Sequence, residues 1–235
     1  IIGRSAGEDR ETKLEEGSYY LTDDEEEMLE RVDRYFKHVV VLLNSGNIID
    51  MAWVGDYEHI NSLMYIWQGG MQGGVAVADI LSGDASPSGK LMATIAKKYD
   101  EYPTSGESGG EKVFGGWDFS NYVEDIYVGY RYFETFAKDA VLYPFGYGLS
   151  YTDFAIQVND SDVSDGIYTV DVSVKNSGST YSGKEVVQVY YGAPQGKLGK
   201  AVKSLAAYAK TRTLGPGESE NIQLSFRVDD MASYD

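Results

Sequence analysis

Two fold types in succession are predicted by this sequence. An α/β layer with a mainly parallel sheet and flanking helices covers residues 1–150, and a β-sandwich covers 151–235. Three observations carry that reading. Strand, helix, strand, helix and strand patterns alternate through the first 100 residues, the signature of a parallel layer. Val39 to Leu43 form an unbroken apolar run, as strands buried on both faces do. After Tyr151 the pattern changes to short alternating strands separated by turns such as Asn176-Ser177-Gly178 and Gly215-Pro216-Gly217.

The elements follow in order. Ile1-Ile2 is a short apolar run that breaks into a small loop, Gly3 to Arg10. Thr22-Asp23-Asp24-Glu25 has the form of a capping box, with Thr22 as N-cap and Glu25 reaching back. Acidic residues in the next turn suit the positive end of the helix dipole. Met28, Leu29, Val32, Tyr35 and Phe36 recur at helical spacing and predict a helix of about four turns facing a core. A buried strand is expected over 38–43, a short helix over 48–54, a strand over 62–67, a helix over 75–81 and a strand over 91–95. A loop rich in Gly, Ser and Glu follows over about 99–121, and loops of that length usually serve function or move. In the sandwich, strands are expected over 154–158, 167–174, 185–191, 203–209 and 222–228.

Composition excludes several function classes. The chain has 235 residues, 43% of them hydrophobic, so it can bury a core. With 37 acidic against 20 basic residues, the net charge of −17 argues against nucleic acids and anionic membrane surfaces as partners. No apolar run approaches the ~18 residues that cross a bilayer. Cysteine is absent, which removes disulfides, thiol nucleophiles and thiolate metal sites. The two histidines, His38 and His59, make no histidine cluster for a metal. Neither a metal nor a cofactor is expected. The chain starts at Ile1 without the basic and apolar regions of a secretory signal. That start reads as a cut from a longer polypeptide, and the cytoplasm is the expected compartment.

Four segments could carry chemistry. Glu8 lies between Arg4 and Arg10 in a Gly-containing loop just after a strand, where α/β proteins place ligand chemistry. On spacing alone a solvated Glu with local ion pairs is the commoner outcome, because perturbed acids are a minority. The cluster Gly69-Gly70-Met71-Gln72-Gly73-Gly74 sits between a strand and a helix like a phosphate loop, yet it lacks the Gly-Lys-Ser/Thr ending. Close helix–strand packing or a ligand-facing backbone suits it better. Trp53, Trp67 and Trp117 could stack on sugar rings; Trp117, between glycines in the long loop, is the best placed, and Trp67 in a strand reads as core. Glu107 and Glu111 in the same loop read as a solvated face.

Taken together the motifs resemble one family, the C-terminal part of glycoside hydrolase family 3 of the β-glucosidase type. Gly3-Arg4 through Gly7-Glu8-Asp9-Arg10 resembles its acid/base loop. Gly17 to Thr22, Val39 to Asn44 with Gly46, and Gln68 to Gly74 resemble the segments after it. Asp79-Ile80-Leu81-Ser82-Gly83-Asp84 with Pro87-Ser88-Gly89-Lys90-Leu91 is highly characteristic. So are Tyr127-Val128-Gly129-Tyr130-Arg131-Tyr132-Phe133 and Pro144-Phe145-Gly146-Tyr147-Gly148-Leu149-Ser150-Tyr151. Residues after Tyr151 are similar to the family's fibronectin type III-like domain, so the sandwich is expected to be fibronectin III- or Ig-like.

The resemblance implies a retaining β-glycosidase that acts on an oligosaccharide or β-glucoside. It would use an aspartate nucleophile on a (β/α)8 barrel and an acid/base on the α/β sandwich. Glu8 matches the acid/base position, and Arg4, Arg10 and Trp117 are the expected substrate-binding residues. The nucleophile's usual context, the barrel and the first strands of the sandwich have no counterpart here, and the last strand of the β domain is expected beyond Asp235. The barrel would come from the same polypeptide or a companion chain, and the chain alone is expected to be inactive. Asp9-Arg10 stand where other members carry a Gly and an aromatic. The alternative is a non-catalytic carbohydrate-binding or structural module derived from the same fold; whether the chain forms a homo-oligomer stays open.

Overall fold

The computed structural model describes residues 1–5, 13–103 and 124–232, which fall into two compact units. The first unit comprises Ile1–Asp79 and Ile95–Tyr102; the second comprises Ile80–Thr94 and Pro103–Asp235.

The first unit is built on a parallel sheet of β1 (Ile2–Gly3), β2 (Val39–Asn44) and β3 (Ile60–Tyr65), in that spatial order. Ile2 pairs with Leu43, and Leu43 with Tyr65. The central place of β2 accounts for the second half of its apolar run: Val41, Leu42 and Leu43 are buried, whereas Val40 is exposed, so the burial on both faces expected of the whole run holds only for its last three apolar residues. Helix α1 (Asp23–Tyr35) begins at the expected capping box: Thr22 Oγ1 accepts from the Glu25 amide at 3.2 Å, and Glu25 Oε2 accepts from the Thr22 amide at 3.0 Å. Its core contact is narrower than the apolar spacing suggested. Leu29 is buried, whereas Met28, Tyr35 and Phe36 are exposed. The expected helix over 48–54 is a single 3-10 turn at Ala52–Asp56. Helix α2 (Gly73–Ser82) starts where the glycine cluster ends. A Cβ on Gly69 would stand 2.8 Å from the Gly73 Cα, so close backbone approach explains that glycine. The strand expected over 91–95 shrinks to β4 (Ile95–Ala96).

The second unit contains α3 (Tyr130–Phe136), β5 (Val141–Tyr143) and the β-sandwich. One sheet has the order β10 (Ser219–Arg227), β7 (Ile167–Asn176), β6 (Phe154–Ser164), all antiparallel; the other pairs β8 (Val186–Tyr191) with β9 (Ser204–Lys210). Val170, Val172, Val174, Val187, Leu214 and Leu224 form the core between them. The β6–β7 hairpin turns at Asp165-Gly166, both with positive φ (51° and 75°), the geometry that favours Asn/Asp-Gly in two-residue hairpins. Strand β6 is the edge of its sheet, bulged between Val158 and Asp160, and its Ile156, Val158 and Val163 stay half-exposed.

Asn176 ties the sandwich together at the end of β7. Fully buried, it accepts from Thr152 Oγ1 (2.6 Å) and the Gly178 amide (3.0 Å) and donates to the Tyr181 and Leu214 carbonyls (both 2.9 Å). Asn176→Ala leaves these buried groups unpaired and is expected to cost about 2–3 kcal/mol, read as a shift in the urea midpoint. A loss below about 0.5 kcal/mol, the size of an ordinary surface change, would show that water replaces the amide there.

Candidate active site at the end of the parallel sheet

Parallel strands deliver their chemistry at their carboxyl ends. In the first unit those ends are Gly3-Arg4, Asn44-Ser45 and Tyr65 to Trp67. The ladder continues one step past the strands, with the Arg4 amide donating to Asn44 O and the Ile66 amide to Leu43 O, both at 2.9 Å. The chain therefore leaves β1 from a fixed point at Arg4, four residues before Glu8. Glu8 and Arg10 lie outside the described residues, as do Trp117, Glu107 and Glu111.

The structure gives Arg4 a different task from the expected one. Its Nη1 and Nη2 grip Glu25 Oε1 and Oε2 at 2.6 and 2.7 Å, a bidentate pair. The remaining N–H groups donate to the carbonyls of Gly3 (3.0 Å), Ser18 (3.1 Å) and Tyr20 (3.1 Å). All five guanidinium donors are thereby engaged, and only 6% of the side chain is exposed. In this arrangement Arg4 has no N–H left for a sugar hydroxyl; it positions the start of the loop. Burial pushes the Glu25 carboxyl up, but hydrogen bonds from Arg4 and Thr22 and the Arg4 charge outweigh it and hold the group below its ordinary value.

The neighbouring strand ends are equally well fixed. Ser45 is buried, its hydroxyl donating to Asn47 O (2.8 Å) and accepting from the Asn47 amide (3.2 Å). The Tyr65 hydroxyl donates to the same Asn47 carbonyl. Trp67, expected as a core residue within a strand, lies two residues past the end of β3 instead. It is half-exposed, adopts φ of +50°, and sets its ring 4.3 Å from that of Tyr65. A bulky residue held in the left-handed region costs of order 1 kcal/mol or more and is concentrated at functional sites. Trp53 is the opposite case: it is buried and its indole N–H donates to Asp50 O at 2.8 Å. That leaves it a structural side chain.

A further acid was not visible in the sequence. Asp50 follows the buried Ile49, and burial pushes its carboxyl up despite hydrogen bonds from the Ala52 and Met51 amides. Its surroundings are phenolic: Tyr19 and Tyr102 are raised by burial and then by charges that include Asp50. Nothing in the local spacing marks Asp50, because Tyr19 lies 31 residues before it and Tyr102 52 after. Among the described residues no group of three or more His, Asp or Glu is placed to hold a metal ion, and no helix is long and apolar enough to cross a membrane.

Comparison with known proteins agrees with this architecture. The model of the glycosyl hydrolase family 3 C-terminal domain matches residues 1–151, and that of a fibronectin type III-like domain matches 185–235. The chain is 48% identical over its whole length to a beta-glucosidase of Ruminococcus albus, and 44% identical over 98% of its length to beta-glucosidase A of Butyrivibrio fibrisolvens. It spans 24% and 31% of those two proteins. Among solved structures it superposes on a beta-glucosidase from Paenibacillus barengoltzii with a TM-score of 0.92 at 52% identity, covering all of this chain and 25% of that one. Beta-glucosidase 3B from Thermotoga neapolitana, in complex with alpha-D-glucose, gives 0.87 at 40% identity, over 99% of this chain and 32% of that one.

Proposed function

The chain belongs to glycosyl hydrolase family 3, and from that premise we propose that it is the acid/base half of a retaining β-glucosidase. Glu8 protonates the glycosidic oxygen as the bond to the anomeric carbon breaks. An aspartate on a (β/α)8 barrel outside this chain attacks that carbon and forms a covalent glycosyl ester. Glu8, now a carboxylate, then takes a proton from the water that releases the sugar. Retention requires the two carboxyl groups about 5–5.5 Å apart, so the Glu8 loop must reach the barrel from a rigid base.

The observation that favours this reading is the anchoring of Arg4. A guanidinium with every donor engaged, at the carboxyl end of a parallel strand, is a foundation for the segment that follows it. Trp67, strained and part-buried at the same carboxyl end of the sheet, suits the wall of a sugar site. Within this reading Arg10 and Trp117, which lie outside the described residues, are assigned as substrate contacts.

The purified 235-residue chain is expected to release no nitrophenol from an aryl β-glucoside, while the same chain joined to a family barrel does so. Turnover by the chain alone would overturn the division of the two carboxylates between separate domains.

A further inference from the structure

Two aromatic residues stand at the end of β3, one braced by the other. Tyr65 closes the strand and Trp67 lies two residues beyond it, at the carboxyl end of the sheet from which the chain also leaves β1. Both belong to the first unit. Trp67 holds φ at +50°, a region that bulky side chains avoid. Its ring lies 4.3 Å from that of Tyr65 with the planes 34° apart, so Tyr65 backs the indole. Tyr65 is itself fixed. Burial pushes its phenol up, which keeps the hydroxyl a donor, and that hydroxyl donates to the Asn47 carbonyl. The Asn47 turn is closed in its own right by the buried Ser45, whose hydroxyl accepts from the Asn47 amide (3.2 Å). The indole is therefore braced from the turn that follows the central strand β2. Among the described residues the Trp67 indole N–H donates to no acceptor, whereas that of the buried Trp53 is paired with Asp50 O. A smaller residue would fit this backbone with less strain, so the ring is what the strain retains.

We propose that Trp67 is the stacking platform for the leaving group of the β-glucoside, and that Tyr65 is the residue that positions it. The proposal rests on the acid/base reading above. In a retaining mechanism the two carboxyl groups flank the bond that breaks, and the acid is the one that meets the leaving oxygen. This chain supplies the acid and the barrel the nucleophile, so the sheet end beside β1 faces the departing group. The ends of β1 and β3 are two strand spacings apart, about 10 Å. An indole offers a flat apolar face with an N–H at its rim. A pyranose or aryl ring covers that face, and a hydroxyl on it can accept from the N–H; a methyl group does neither. The substrate class is a β-glucoside whose leaving group carries a ring.

The test compares cellobiose with methyl β-glucoside in a polypeptide that joins this chain to a family barrel. Both leaving groups are alcohols, and only the first has a ring. Trp67→Asn is expected to raise KM for cellobiose about tenfold, the loss of one stacked ring. Its kcat should hold, because the stack is made in the ground state and the transition state alike. Methyl β-glucoside should keep its KM. Trp67→Phe, which retains a ring, should recover most of the loss. Tyr65→Ala should reproduce the cellobiose defect. In the chain alone it should also open the Trp67 emission to acrylamide, with each chain read against its Trp67→Phe counterpart; an unmoved emission would remove Tyr65 from the positioning role. Asparagine tolerates the left-handed region, so Trp67→Asn should keep the urea midpoint or raise it. Equal KM changes with both substrates, an unchanged KM for cellobiose, or a large fall in the urea midpoint would each overturn the proposal. Glu8→Ala decides the acid/base reading separately, because its loss follows the basicity of the leaving group while Trp67 is intact.

Discussion

If Glu8 is the acid/base as proposed, Glu8→Ala in a polypeptide that joins this chain to a family barrel is expected to slow hydrolysis of cellobiose and alkyl β-glucosides by about 10²–10⁴-fold, the usual worth of a positioned general acid. A glucoside with a dinitrophenolate leaving group forms its glycosyl ester at close to the native rate, because that oxygen departs without a proton. Release of the ester then becomes slow, since no base deprotonates the water. Azide needs no such base and restores turnover with the activated substrate, giving a β-glycosyl azide. Equal slowing of good and poor leaving groups in single-turnover measurements would remove Glu8 from the general-acid role.

Arg4→Ala has the next largest effect. It strips a bidentate partner from Glu25 and orphans the Ser18 and Tyr20 carbonyls. Breaking an ion pair of which one side is buried and the other 20% exposed costs about 3 kcal/mol, measured by urea unfolding. Adding Glu25→Gln to Arg4→Ala should recover part of that loss, because the unpaired charge is gone. The pair also shapes the acid limb of stability. Glu25 is held below its ordinary value, so its contribution is fully present above the unfolded carboxylate pKa and disappears as pH falls through the folded one. Arg4→Ala should flatten that limb. A single-variant loss under about 1 kcal/mol, the worth of an exposed pair, would show that the guanidinium is not the anchor described above.

Local signals in the sequence were legible and distant ones were not. The capping box at Thr22–Glu25 and the apolar run of β2 both depend on neighbours within a few residues; the box appears as read, and the run forms the central strand with Val41 to Leu43 buried but Val40 exposed. The task of Arg4 depends on Glu25, 21 positions away, so spacing near Glu8 could only suggest a ligand contact. Helical period placed Met28, Tyr35 and Phe36 on the same broad stripe as Leu29, but period alone cannot say which edge of a stripe meets the core. Helix α3 is rich in aromatics with modest helix propensity; burial of Phe133 to 1% exposure marks packing as what holds it. Strand β6 runs to Ser164 although alternation fades after Val158, because pairing with β7 from the Asp165-Gly166 turn dictates its length.

The open side of β6 carries a consequence for handling the chain. An edge strand with apolar side chains is a template onto which a second molecule can add. Here the bulge at Val158/Asp160 bends the ladder, and the exposed Asp160 and Asp162 set negative charge along it. Two such edges approaching each other repel, and the net charge of −17 adds to that repulsion. Salt screens surface charges beyond about 8–10 Å at 0.1–0.15 M and more closely above that. Solubility should therefore fall as ionic strength rises, opposite to a protein kept in solution by salt.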